Sequence, residues 1–143
     1  MINLKDIPSG ALMSQAYVPA VAAVTATVSY AVFMAPVDCK ILAVWAAPNT
    51  AITGDNTDYE TLSIIDGGLA GAGTAVLGTA VSLLTGTNPA INDPIALVAA
   101  ADVETLDAGD VMLLKNAKVS SGLAIPALLV TVMWWPTGET LAT

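Results

Sequence analysis

Val24-Thr-Ala-Thr-Val-Ser-Tyr-Ala-Val-Phe-Met34 and Ala127-Leu-Leu-Val-Thr-Val-Met-Trp-Trp135 are the two stretches whose reading decides the fold. In the first, Val24, Ala26, Val28, Tyr30 and Val32 fall on one side of an extended chain, while Thr25, Thr27 and Ser29 begin the other. Alternation with a period of two marks a strand with one buried face. The second stretch is the strongest strand signal in the chain and is predicted to stop at Pro136. Its two tryptophans, Trp134 and Trp135, are consecutive, so on a strand they must point to opposite faces.

Outward from these, Lys40–Ala46, Thr61–Ile65, Thr74–Leu84, Ile95–Ala99 and Val111–Leu114 read as further short strands. Turn-forming clusters separate them: Pro48-Asn49, Gly54-Asp55-Asn56, Asp66-Gly67-Gly68, Gly86-Thr87-Asn88-Pro89, Asn92-Asp93-Pro94, Asp107-Ala108-Gly109-Asp110 and Ser120-Ser121-Gly122. Helix signals are scarce, and Asp102–Leu106 is predicted to make one helical turn at most. About seven to nine strands at intervals of roughly 8–15 residues have the rhythm of an antiparallel sandwich or barrel. The expectation is an all-β, jelly-roll-like β-sandwich over residues 21–143. Residues 1–20, punctuated by Pro8, Gly10 and Pro19, are expected to form an extended N-terminal arm.

Composition narrows the function. The 143 residues contain no histidine and no arginine, one cysteine (Cys39), four lysines and twelve acids, for a net charge of −8. Without an imidazole there is no Ser-His-Asp or Cys-His arrangement. A zinc site of Cys and His ligands is excluded by count. A net charge of −8 argues against nucleic acid and anionic membranes, because phosphate contacts supply the sequence-independent part of such affinities. Ile7–Val37 and Gly67–Asn92 carry no charge over lengths that raise the question of membrane spans. Proline in the first, glycine in the second and the lack of flanking basic clusters argue against that reading. Charged residues are 11% of a chain that is 55% hydrophobic, against a usual charged share of about 25%. Part of the apolar surface is therefore expected to be covered by other subunits or a larger body.

Three constellations invite a chemical reading. Asp55-Asn56-Thr57-Asp58-Tyr59-Glu60 offers oxygens at the close spacing calcium requires, but does not complete an EF-hand loop. Asp and Asn also favour plain solvated turns. Asp107 and Asp110 flank a glycine turn, where two acids are far more often solvated than catalytic. Gly67–Gly73 lacks the Gly-Lys-Ser/Thr ending of a phosphate loop and reads as a strand connection. No catalytic, metal or cofactor site is expected, and the chain is read as a non-enzyme.

The order of the segments carries a further signal. Pro36-Val-Asp-Cys-Lys-Ile-Leu-Ala-Val-Trp45 leads into an Asn-containing loop and then Tyr59-Glu-Thr-Leu-Ser-Ile-Ile65. The second half runs from Asn92-Asp93-Pro94 to Leu97, then Ala108-Gly-Asp-Val-Met-Leu113, Ser121-Gly122-Leu123 and Pro126 before the last strand. From about Val24 to Trp135 this resembles the small β-sandwich proteins of tailed bacteriophages, in particular head decoration (cement) proteins. The resemblance implies a structural protein on the exterior of the virion that bridges subunits of the major capsid protein. It also implies a homotrimer, with no cofactor. A head-fibre, tail or receptor-binding module is the alternative from the same structural class.

Contact residues are read from composition and position. Ile2, Leu4, Ile7, Leu12 and Met13 of the arm are proposed for subunit or capsid contacts. Trp45, Trp134 and Trp135 join them, since tryptophan is enriched at interface centres.

Overall fold

The computed structural model describes residues 10–23, 26–99 and 104–141, the side chains of 139–141 excepted. Nine strands run in the order β1 (Leu12–Val18), β2 (Val28–Met34), β3 (Val37–Pro48), β4 (Tyr59–Asp66), β5 (Ala75–Ser82), β6 (Ile95–Val98), β7 (Glu104–Leu106), β8 (Val111–Val119) and β9 (Leu128–Leu141). They form two antiparallel sheets. One has the order β1-β9-β3-β6, with β7 also paired to β3; the other has the order β2-β8-β4-β5. With β6 and β7 counted as one interrupted strand, this is the winding of a jelly roll, two four-stranded sheets built from crossing connections.

The alternation in the sequence sets the inner faces. β9 contributes Leu128, Val130, Val132 and Trp134, and β3 contributes Cys39, Ile41, Val44 and Ala46. Facing them are Leu62 and Ile64 of β4, Met112 and Leu114 of β8, and Leu77 of β5. Each such aliphatic side chain contributes roughly 1.5–3 kcal/mol by leaving water, which is what holds two small sheets together. β3 is buried on both faces through much of its length, which explains its unbroken apolar run.

Two expectations are corrected, and part of a third segment is placed. Glu104–Leu106 lies in strand β7, paired with Cys39–Ile41 of β3, and not in a helical turn. Three residues cannot close a stable helical nucleus, whereas the free edge of β3 supplies ladder partners at once. β9 runs through Pro136 to Leu141. Pro136 lies beyond the last pairing with β1 and beside a register shift in β3, the irregular place in a ladder where proline is tolerated. In the segment read as an arm, residues 10–20 are described, and Leu12–Val18 is hydrogen-bonded into the sheet as edge strand β1. Ser14, Ala16 and Val18 alternate with Met13, Gln15 and Tyr17, a period of two that serves a strand as well as a free extended segment. Among the described residues, no helix is long and apolar enough to cross a membrane.

Candidate functional site

Two groups of described acids sit in loops at the two ends of the sandwich. At one end, Asp38 accepts the Ala108 N–H at 2.8 Å, and Asp110 accepts the Asp107 N–H at 3.1 Å. Asp107 and Asp110 thus belong to a structured turn whose carboxylate caps its own backbone. At the other end lies the loop once considered for calcium. Asp55 Oδ1 accepts the N–H groups of Thr57 and Asp58 at 2.7 and 2.8 Å. Asp58 Oδ1 accepts the Ser121 N–H at 2.9 Å, and Asn56 Oδ1 accepts that of Thr85 at 3.0 Å. These amide bonds hold the carboxyls of exposed Asp55 and half-buried Asp58 below their ordinary range. The oxygens are engaged in tying neighbouring loops together, and among the described residues no three acidic or cysteine side chains gather as a metal site.

The remaining chemistry is sparse. Cys39 is buried in the core, and its thiol is pushed up to about 11, by burial first and then by the charges of Asp38 and Asp110. That makes it a small hydrophobe and not a nucleophile. An open cleft of about 310 Å³ between Thr87, Pro89, Asp93 and Ile95 gathers one titratable group, Asp93.

The feature that stands out is the outer face of the β1-β9-β3 sheet. Register places its residues in rows across the three strands: Tyr17, Leu129 and Ala47; then Gln15, Thr131 and Trp45; then Met13, Met133 and Ala43. Trp135 and Lys40 make a fourth row, with Thr105 of β7 at its edge. A bulge between Ile41 and Ala43 also turns Leu42 outward, where Trp45, Trp135 and Ala11 pack around Leu42, Ala43 and Met133 as a second small cluster. Beyond that cluster the surface stays open: Tyr17 is 70% exposed, Met13 64% and Leu129 42%. Its polar contact is Gln15 Nε2 to Thr131 Oγ1 at 3.2 Å. Lys40 is the one charged side chain in these rows, although the whole chain carries −8. A largely apolar surface with no carboxylate among its described residues, on a chain otherwise acidic, is suited to protein contact.

The contact residues expected from the sequence divide accordingly. Trp45 and Trp135 lie on this face, and so does Met13. Trp134 does not; it points inward, stacks tilted on Phe33 with ring centroids 5.4 Å apart, and donates to Ser14 Oγ at 3.0 Å. It is a core residue, fixed there because Leu12 and Ile41, its register partners, set the parity of β9. Leu12 is exposed at the end of β1, while Ile2, Leu4 and Ile7 lie outside the described residues. Sequence reasoning missed Tyr17, Leu129, Leu42 and Met133. Alternation within Leu12–Val18 and Leu128–Trp135 was the signal that could have found three of them; Leu42 faces outward only because of the bulge.

No family model matches the chain, and no curated protein does. Among solved structures, a chain in the structure of infectious bursal disease virus Gx strain is similar to 92% of this chain, with a TM-score of 0.41 and 11% sequence identity. This chain spans about a third of the length of that one (34%).

Proposed function

We propose that the protein is a non-catalytic structural component of a virus particle, a decoration protein on the exterior of a tailed-phage capsid. It assembles as a homotrimer, and it bridges major capsid protein subunits so that the expanded shell is favoured. The observation that carries this reading is the uncovered outer face of the β1-β9-β3 sheet, where Tyr17, Leu129 and Met13 stay open around the Trp45–Trp135 cluster. The fold alone selects no function, since jelly rolls serve many. The face does more, because exposed apolar area of this kind marks a partner surface.

Placement of charge supports neighbouring copies as the occupant of that face. Association through it brings no described carboxylate against another, whereas contact through either loop end would set acid against acid at a net charge of −8. Residues 1–9, outside the described segments, are assigned to the shell. A subunit that binds only the assembled, expanded lattice stabilises it by mass action, and a trimer multiplies weak single contacts.

The test combines mass with sedimentation. The purified chain is expected to scatter light as a trimer and to co-sediment with expanded shells of the major capsid protein encoded in the same genome. Deleting residues 1–9 is expected to weaken co-sedimentation and leave the trimer intact. A monomer that ignores such shells would overturn the reading.

A further inference from the structure

The interior of the sandwich contains a carboxyl group with nothing to bind. Glu60 projects from β4 on the inner face with Leu62 and Ile64, is 1% exposed, and has no hydrogen-bond partner on either oxygen. Three segments enclose it. Lys118 of β8 is its register partner. The Ser120–Leu123 turn lies over it. The connection between β1 and β2 reaches the same place through Ala23, whose segment is fastened by paired backbone bonds between Val21 and Ile125, both 2.8 Å.

The tightness of the seal is visible at Gly122. A Cβ there would lie 2.6 Å from the Ala23 carbonyl oxygen, 2.7 Å from Glu60 Oε1 and 2.9 Å from Lys118 Cγ. Gly122 also has φ +74°, so only glycine lets the turn settle onto the carboxyl. The charged groups around it are few. Lys118 faces it from β8. Asp58, just before β4, is turned to the Ser121 N–H and holds the turn from outside. The described residues of the turn and of the β1–β2 connection carry no titratable side chain.

A carboxylate without partners is among the costliest things to keep in a protein interior, whereas a neutral carboxylic acid costs far less. Burial pushes the Glu60 carboxyl up; the nearness of the Leu123 N–H and of the Lys118 ammonium, neither of which completes a hydrogen bond to it, opposes this more weakly.

We propose that Glu60 is a proton-operated latch on this end of the sandwich: protonated, it lies sealed beneath the Gly122 turn, and on losing its proton to solvent it draws in water and lifts the turn away from Ala23. The closed form is therefore complete below the ordinary glutamate range. It is lost progressively as pH rises through the raised value of the buried group. The inner ends of β3 and β9, held by Leu128, Val130 and Val44, take no part.

Amide hydrogen exchange of the full chain, corrected for intrinsic pH dependence, reads the latch directly. Protection at residues 119–125 and at Val21 is expected to fall tenfold or more between about pH 4 and about pH 8, with β3 unchanged as the internal reference. In Glu60→Gln, which keeps shape and removes the titration, protection is expected to be the same at both pH values. In Lys118→Met the turn is expected to stay protected at about pH 4 and to open further than the wild type at about pH 8. Equal protection of the wild-type turn at both pH values would overturn the latch. So would a Glu60→Gln turn that opens as the wild type does, or a Lys118→Met turn that opens no further.

Discussion

Trp134 donates its indole N–H to the hydroxyl of Ser14 at 3.0 Å, joining the interior of β9 to the edge strand β1. Leu12 sits directly opposite the same tryptophan in the ladder, so one side chain both fills the core and anchors the outermost strand. Ser14→Ala leaves the buried N–H without a partner and is expected to lower unfolding free energy by about 1–3 kcal/mol. Urea denaturation followed by tryptophan fluorescence measures it, and an unchanged midpoint would show that β1 is held by its backbone ladder alone.

Gly78 of β5 brings the backbone of one sheet against β6 of the other. Its N–H is accepted by Glu104 Oε1 at 3.0 Å, and a Cβ at Gly78 would run into the Leu97 carbonyl. Gly78→Ala is expected to cost more than about 2 kcal/mol, from φ +66° together with backbone overlap. Gly68→Ala, at φ +62° but with open space around it, is expected to cost about 1 kcal/mol. Thermal unfolding of the pair separates close approach from conformational strain; equal losses would assign everything to φ.

Outer-face residues are expected to separate association from stability. Tyr17→Ser combined with Leu129→Ser should leave monomer stability within about 0.5 kcal/mol, since both side chains are exposed. The same pair should abolish the trimer in light scattering. Trp45→Ser is expected to lower both, because Trp45 covers Leu42 and Met133. A double variant that still trimerises would move the interface elsewhere.

Acid acts on the Asp55–Asp58 loop with the sign opposite to that at Glu60. Asp55 and Asp58 are held below their ordinary values by backbone N–H groups, Asp58–Thr57 for the first and Ser121 for the second. Their contribution is present above the unfolded carboxylate value and is lost as pH falls through the lowered folded one. Asp58→Asn is thus expected to flatten the acid limb of a Tm-against-pH curve; an unaltered limb would exclude the Ser121 bond as its source.

Asn116 places its Oδ1 in the core of β8, opposite Leu62, with no hydrogen-bond partner. Asn116→Leu is expected to be neutral or to stabilise by about 1 kcal/mol, since it removes an unpaid desolvation. A loss beyond about 1 kcal/mol in denaturant would mean that the site cannot accept the larger shape.

Local signals revealed the strands, and long-range ones decided what the strands present. Period-two runs at Val28–Met34 and Leu128–Trp135 were legible because alternation survives in any half-buried strand. The choice between Trp134 and Trp135 was not legible, because parity depends on register with β1 and β3, which lie far away in sequence. Leu42 faces outward through a bulge between Ile41 and Ala43, and no local residue type announces it. The pairing of Leu12–Val18 was not legible for a related reason: Pro8 and Gly10 mark an irregular start, while the partner that makes Leu12–Val18 a strand lies more than a hundred residues later. Glu60 was seen only as one acid in a polar loop, since nothing nearby in sequence shows that Gly122 closes over it.

The pairing of Leu12 with Trp134 also has a consequence for how the chain reaches its fold. β9 is the last strand in the sequence, yet it is the only partner of β1 among the described strands and pairs β3 on its other side. During synthesis, β1 must therefore wait without its ladder, and β3 without its β9 partner, until β9 has emerged. Contacts of such long sequence separation place folding in the slow range, milliseconds to seconds. Through that interval Val44, Ala46 and Val18 are open to wrong partners, which makes the nascent chain the most aggregation-prone stage of this protein's life.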